Sequence, residues 1–159
     1  MQYYGVRFAD IFKIMSEGHT FIQQSAFKIQ HYRRIAMSIN TINVGNLEYL
    51  TAEGISAAHC FTTRFGGVSG GIFDSMNIAI KEGESEENVR KNIAILAAAL
   101  GFDTENLICT RQTHSDIVRV VSKADHIDIF HRDYPECDAL VTNDPGTALM
   151  IYTADCTPM

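Results

Sequence analysis

No apolar run in this 159-residue chain exceeds the eight residues from Ile93 to Leu100. That is far short of the roughly 20 that a membrane-crossing helix requires. No basic-then-apolar leader with a small-residue cleavage site opens the sequence, which argues against secretion. Positive charge is also scarce: 13 Lys and Arg face 19 Asp and Glu, giving a formal charge of −6 and a pI near 5.4. Neutralising a phosphate backbone takes clustered Lys and Arg, so nucleic acid is not an expected partner. A small anion at one local basic spot is still compatible with this balance. There is no C-x-x-C pair. Cys60, Cys109, Cys137 and Cys156 are too far apart for a metal knuckle, and without a leader they do not suggest a disulfide framework. These absences predict a soluble cytoplasmic protein with reduced thiols and no membrane partner.

What is present is enough for one modest domain: 46% hydrophobic, 20% charged and 9% aromatic residues. Residues 1–36 carry Arg7, Lys13, Lys28, Arg33 and Arg34 against only Asp10 and Glu17, with no clean periodicity and no Gly or Pro punctuation. The folded domain is expected to begin near Met37 to Leu47, so 1–42 reads as a poorly patterned extension and 43–159 as the domain. The extension is either a frayed arm or the product of a start placed upstream of Met37.

From there on, patterns alternate. Leu47 to Leu50 and Ile55 to Thr63 read as strands leading into the loop Gly66-Gly67-Val68-Ser69-Gly70-Gly71. The spacing of Val89, Ile93, Leu96 and Leu100 predicts a helix over 85–100, with Ser85 as N-cap, Glu86 and Glu87 at the positive end of the dipole, and Gly101 as the stop. Strands follow at Leu107 to Thr110, Ile117 to Val121, Ala139 to Thr142 and Ala148 to Thr153. Residues 123–137 read as a polar, turn-like region, with His126 and His131 left on the surface. The predicted class is α+β, mixed β-sheets with flanking helices in a layered α/β sandwich. It looks cut short, because the last strand runs into Asp155-Cys156-Thr157-Pro158-Met159 with nothing after it.

Three segments could carry chemistry. In Arg64-Phe65-Gly66-Gly67-Val68-Ser69-Gly70-Gly71, glycines let backbone N–H groups approach a ligand while Arg64 supplies a fixed positive charge, which together would make an anion cradle. The segment lacks a P-loop ending and a dinucleotide fingerprint, and its composition alone favours an ordinary hairpin or wide turn. Gln112-Thr113-His114 places an imidazole between two strands, where it can bind a metal, act as a base, or simply be a satisfied structural histidine. Thr153-Ala154-Asp155-Cys156 places a thiol and a carboxylate at a strand end, although a lone cysteine is usually inert core.

Taken together, these segments resemble the laccase-domain family, long labelled multicopper polyphenol oxidases and understood as zinc-dependent purine nucleoside phosphorylases with adenosine deaminase activity. The resemblance runs through His59-Cys60-Phe61-Thr62-Thr63-Arg64-Phe65-Gly66-Gly67-Val68-Ser69, Ser75-Met76-Asn77, the Glu87 to Gly101 helix, Gln112-Thr113-His114, Asp138-Ala139-Leu140-Val141-Thr142, and Pro145-Gly146 through Thr153-Ala154-Asp155-Cys156-Thr157-Pro158. It implies that His114 and Cys156 are two of three protein ligands to zinc. Asp155 would then be a catalytic acid or base beside them, with Arg64, Asn77, Gln112 and His59 around nucleoside and inorganic phosphate. The family's third ligand is the His of a His-Ala-Gly-Trp-Arg-Gly segment downstream of Cys156, which this chain, with no tryptophan, does not contain. Copper is the less fitting metal, because six scattered histidines do not make several His-rich motifs. Implied substrates are adenosine, inosine, guanosine and S-methyl-5′-thioadenosine, acted on by a monomer or homodimer. Two other readings stand beside this one: a Cys156–His114 hydrolase dyad in peptidoglycan-precursor editing, and an inactive fragment.

Overall fold

The computed structural model describes residues 38–131 and 133–153. Strands β1 (Ile39–Val44) and β2 (Leu47–Ala52) form an antiparallel hairpin in register from Ile39 against Ala52 to Val44 against Leu47. The two-residue turn between them opens on Gly45, whose φ of 60° is one that glycine adopts without strain. The hairpin therefore takes in residues 39–42, which the sequence reading leaves with the leading extension. Residues 1–37 lie outside the described part.

Strand β3 (Phe61–Thr62) adds two residues to the other edge of β2. The long strand expected over 55–63 is mostly absent, for a local reason. Gly54 turns the chain at φ 88°. His59 then bridges the gap, its Nε2 accepting the Ala52 N–H at 2.9 Å and its Nδ1 donating to the Ala57 carbonyl at 2.8 Å. One ring does there what a paired strand would do.

Helix α1 (Glu86–Leu100) matches its sequence signals. The Ser85 hydroxyl accepts the Asn88 N–H, Glu86 and Glu87 occupy the first turn, and Gly101 ends the helix in the left-handed region at φ 75°. Exposed pairs Glu86–Arg90 and Glu87–Lys91 face each other one turn apart. The buried face joins two apolar clusters. Val89 and Ile93 pack with Leu107, Cys109, Ile129 and Tyr134, whereas Leu96 packs with Leu47, Tyr49 and Met76. The helix is thus the wall shared by the hairpin and the rest of the fold.

The remaining strands are short. β4 (Leu107–Cys109) pairs in parallel with β7 (Ala148–Met150), and β5 (Val118–Val120) pairs in parallel with β6 (Ala139–Val141). The architecture is α+β, as expected, with mixed sheets against one α-helix among the described residues. The segment 123–137 is turn-like, as expected, and His131 is exposed, but it is not polar throughout and His126 is not a surface residue. Ile129, Tyr134 and Cys137 are buried, and His126 is half-buried with its Nδ1 at 2.9 Å from the Leu107 carbonyl. Apolar residues interleaved with Asp and Lys gave this segment no period, yet they pack inward. No helix among the described residues is long and apolar enough to cross a membrane.

Candidate active site

The glycine-dense loop is held to the helix by one side chain. Asn92 lies on the buried face of α1, wholly inaccessible to solvent. Its Oδ1 accepts the Val68 N–H at 2.8 Å, and its two amide hydrogens are shared among the Asn77 carbonyl (2.7 Å), the Ser69 hydroxyl (3.0 Å) and the Ser75 carbonyl (3.2 Å). Within the loop, the Arg64 carbonyl accepts from the N–H groups of Ser75 and Met76 and from the Ser75 hydroxyl. The loop therefore closes on itself before it closes on the helix.

Close backbone approach explains two of its glycines. A methyl at Gly66 would sit 2.2 Å from the Leu47 Cα, and one at Gly67 would sit 2.1 Å from the Ser75 carbonyl oxygen. These glycines admit the chain's own backbone. The N–H groups of Phe65, Gly67, Val68 and Ser69 all have internal acceptors, on Thr63, Ser75, Asn92 and Ser75 respectively. An anion cradle built from those N–H groups is therefore ruled out by geometry. Arg64 itself is exposed, with Nε donating to the Asp74 carbonyl at 3.0 Å and Nη2 to the same oxygen. A guanidinium carries five N–H donors, so others are left over.

Three further candidates point their polar atoms into the chain. Asn77 forms an Asx turn with Ala79, donating to its carbonyl and accepting from its N–H, and also donates to Glu84 at 3.0 Å. Glu84, which also accepts from Ser69, Ser85 and Asn88, is thereby held down to about 2. His59 has both ring nitrogens engaged, as described above. Gln112 grips the end of β7: its Oε1 accepts the Tyr152 N–H at 2.9 Å while its Nε2 donates to the Tyr152 carbonyl at 3.0 Å.

That grip matters for His114. Strands β4 and β7 run parallel, with Cys109 opposite Met150, so both chains leave the sheet at the same end. His114 is five residues beyond the one exit and Cys156 six beyond the other. The His114 side chain is exposed, and neither ring nitrogen has a hydrogen-bond partner among the described residues. Its backbone sits at φ 58°, and Asp138 accepts its N–H at 3.0 Å. The same carboxylate accepts the N–H groups of Thr113 and Ser115 and the Ser115 hydroxyl. Burial alone would push the Asp138 carboxyl up, but these donors outweigh it and hold the group below the usual carboxylate range.

Asp155 and Cys156 lie outside the described residues. No group of three His, Cys, Asp or Glu side chains stands ready to hold a metal among the described ones. Of the thiols that are described, burial pushes Cys109 up to about 12 and raises Cys60, so neither is a ready nucleophile. Sequence reasoning missed Asn92 and Asp138. Asn92 had a signal, since a polar residue three places after Val89 falls on the apolar face of the helix. Asp138 stands in one of the segments that carry the resemblance, but its role had no local signal, because its partners are more than 20 residues away.

Residues 58–159 match the family model described as multi-copper polyphenol oxidoreductase laccase. The chain is 37% identical over 116 residues to the purine nucleoside phosphorylase of Deinococcus radiodurans, covering 71% of this chain and 41% of that protein. It is 34% identical over 101 residues to the purine nucleoside phosphorylase YlmD of Geobacillus stearothermophilus, covering 62% and 37%. The crystal structure of YlmD superposes with a TM-score of 0.62 at 28% identity, covering 73% of this chain and 45% of that one. Bacillus licheniformis YfiH gives a TM-score of 0.56 at 29% identity, covering 61% and 38%. The chain spans about two fifths of the length of the curated relatives it matches.

Proposed function

The chain belongs to the multi-copper polyphenol oxidoreductase laccase family, and from that premise we propose that it carries part of the active centre of a zinc-dependent purine nucleoside phosphorylase that also deaminates adenosine. The observation that supports this best is the parallel β4–β7 pair, whose strands end at the same end of the sheet, His114 following one by five residues in the sequence and Cys156 the other by six. Ligand sites favour such strand ends in α/β sheets. An imidazole and a thiolate are donors that zinc takes in tetrahedral sites, and the exposed His114 ring, with no hydrogen-bond partner among the described residues, fits that role. Zinc held by these donors would supply Lewis acidity and a water acidic enough to react near neutral pH.

The chain's own residues do the rest. Asp155 relays a proton to the departing ammonia as adenosine is converted to inosine at C6. In phosphorolysis, phosphate attacks the ribose C1′ while positive charge develops on the sugar, and the purine leaves with a proton. Arg64 holds that phosphate through the guanidinium donors not given to Asp74. Asn77, Gln112 and His59 shape the pocket wall by holding its backbone. The partners are a purine nucleoside (adenosine, inosine, guanosine or S-methyl-5′-thioadenosine) and inorganic phosphate, with neither nucleic acid nor membrane, in a monomer or homodimer working in the cytoplasm.

The test is made on the native protein that carries these residues. Metal analysis should find about one zinc per protomer, and purine base should be released from adenosine in proportion to added phosphate. His114→Ala and Cys156→Ala should each abolish both. Unchanged zinc content in the two variants refutes the ligand assignment.

A further inference from the structure

His114 is the only non-glycine residue among the described ones with a positive φ, a conformation that costs an L-residue roughly 1–2 kcal/mol unless something holds it. Asp138 is what holds it. Its Oδ2 accepts from the Thr113 N–H (3.2 Å), the Ser115 N–H (2.8 Å) and the Ser115 hydroxyl (2.7 Å), and its Oδ1 accepts from the His114 N–H (3.0 Å). Three consecutive N–H groups converge on one carboxylate only when the backbone curls into a concave nest, and the left-handed residue in that curl is His114. The carboxylate is itself fixed. Asp138 directly precedes β6, and its own N–H donates to the Ile117 carbonyl at 3.0 Å, two residues past Ser115.

We infer that Asp138 is a positioning residue, which sets the direction of the His114 side chain by gathering the backbone of residues 113–115 around its carboxylate. This rests on the reading of His114 as a zinc ligand. In this reading Asp138 acts on the metal site through the φ of its neighbour. Groups that orient a ligand typically change metal affinity by ~10- to 100-fold when removed.

The experiment uses the full native protein and zinc or cobalt as the probe. In Asp138→Asn, one oxygen is replaced by an amide that opposes the N–H donors. Zinc affinity, measured against a chromophoric chelator, should fall about tenfold, with full occupancy restored at high zinc. The visible bands of the cobalt-substituted protein should shift, because the ring reorients. Ser115→Ala removes the hydroxyl that donates to Asp138 and accepts the Ile117 N–H, and no backbone; it should weaken zinc about threefold in a protein that still folds. It is the decisive variant if Asp138→Asn does not fold. Unaltered affinity and an unaltered cobalt spectrum in these variants, with zinc still lost in His114→Ala, overturn the positioning role and leave the ligand reading standing. Zinc retained in His114→Ala overturns both.

Discussion

Replacing Asn92 by alanine tests whether one buried amide carries the glycine loop. The change removes every contact that Asn92 makes to Val68, Ser69, Ser75 and Asn77. Not all of those partners are stranded. The Ser75 carbonyl keeps the Ser69 N–H at 3.0 Å, and the Ser69 hydroxyl keeps Glu84. The Val68 N–H and the Asn77 carbonyl are left without a partner among the described residues. Val68 is exposed and Asn77 only half-buried, so each stranded group costs at the low end of the range, roughly 1 kcal/mol, and the two together about 2 kcal/mol. That is a large share of the ~5–15 kcal/mol that holds a typical domain together. Urea unfolding followed by far-UV circular dichroism suits a chain with no tryptophan. Asn92→Asp should cost at least as much at neutral pH, because it sets a carboxylate against three oxygen atoms. A loss below about 1 kcal/mol in Asn92→Ala would show that the loop is held by other means.

Two further outcomes follow from the same region. Gly67→Ala should cost more than about 3 kcal/mol or prevent folding, since its methyl meets the Ser75–Met76 backbone, whereas Gly70→Ala, with open space around it, should stay within about 0.5 kcal/mol. Comparable urea midpoints for the two variants would refute the close approach of backbones. Glu84, held down to about 2 chiefly by the Asn77 and Ser69 side chains, stabilises the fold above its unfolded value of ~4.3 and loses that contribution as pH falls through about 2. Glu84→Gln should flatten the decline in stability between these limits, and an identical pH dependence in both proteins would contradict the assignment.

Where local chemistry decides structure, the sequence was legible. Ser85, the paired glutamates and Gly101 bound a helix whose apolar spacing places Val89, Ile93 and Leu96 inward, and the structure has them there. The loop at 66–71 was legible as loop, but the purpose of its glycines was not. Open approach to a ligand and close approach to Leu47 or Ser75 leave the same letters in the chain. Strands β2 and β4 to β7 were located to within one to three residues, whereas β1 was not read as a strand and over 55–60 a histidine side chain replaces backbone pairing. Residues 127–134 hid their apolar members among charges. For the candidate site, His114 and Gln112 stood out by residue type. Their relation to Tyr152 and Asp138 is a matter of parallel pairing between distant segments, which no local pattern encodes.

The Gln112 carboxamide clasps both backbone atoms of Tyr152, as a third strand would, but from a side chain that can let go. It is a buckle between two arms. While it is fastened, a pull on the chain beyond β7 is transmitted to the turn before β5. When it is undone, each arm moves alone.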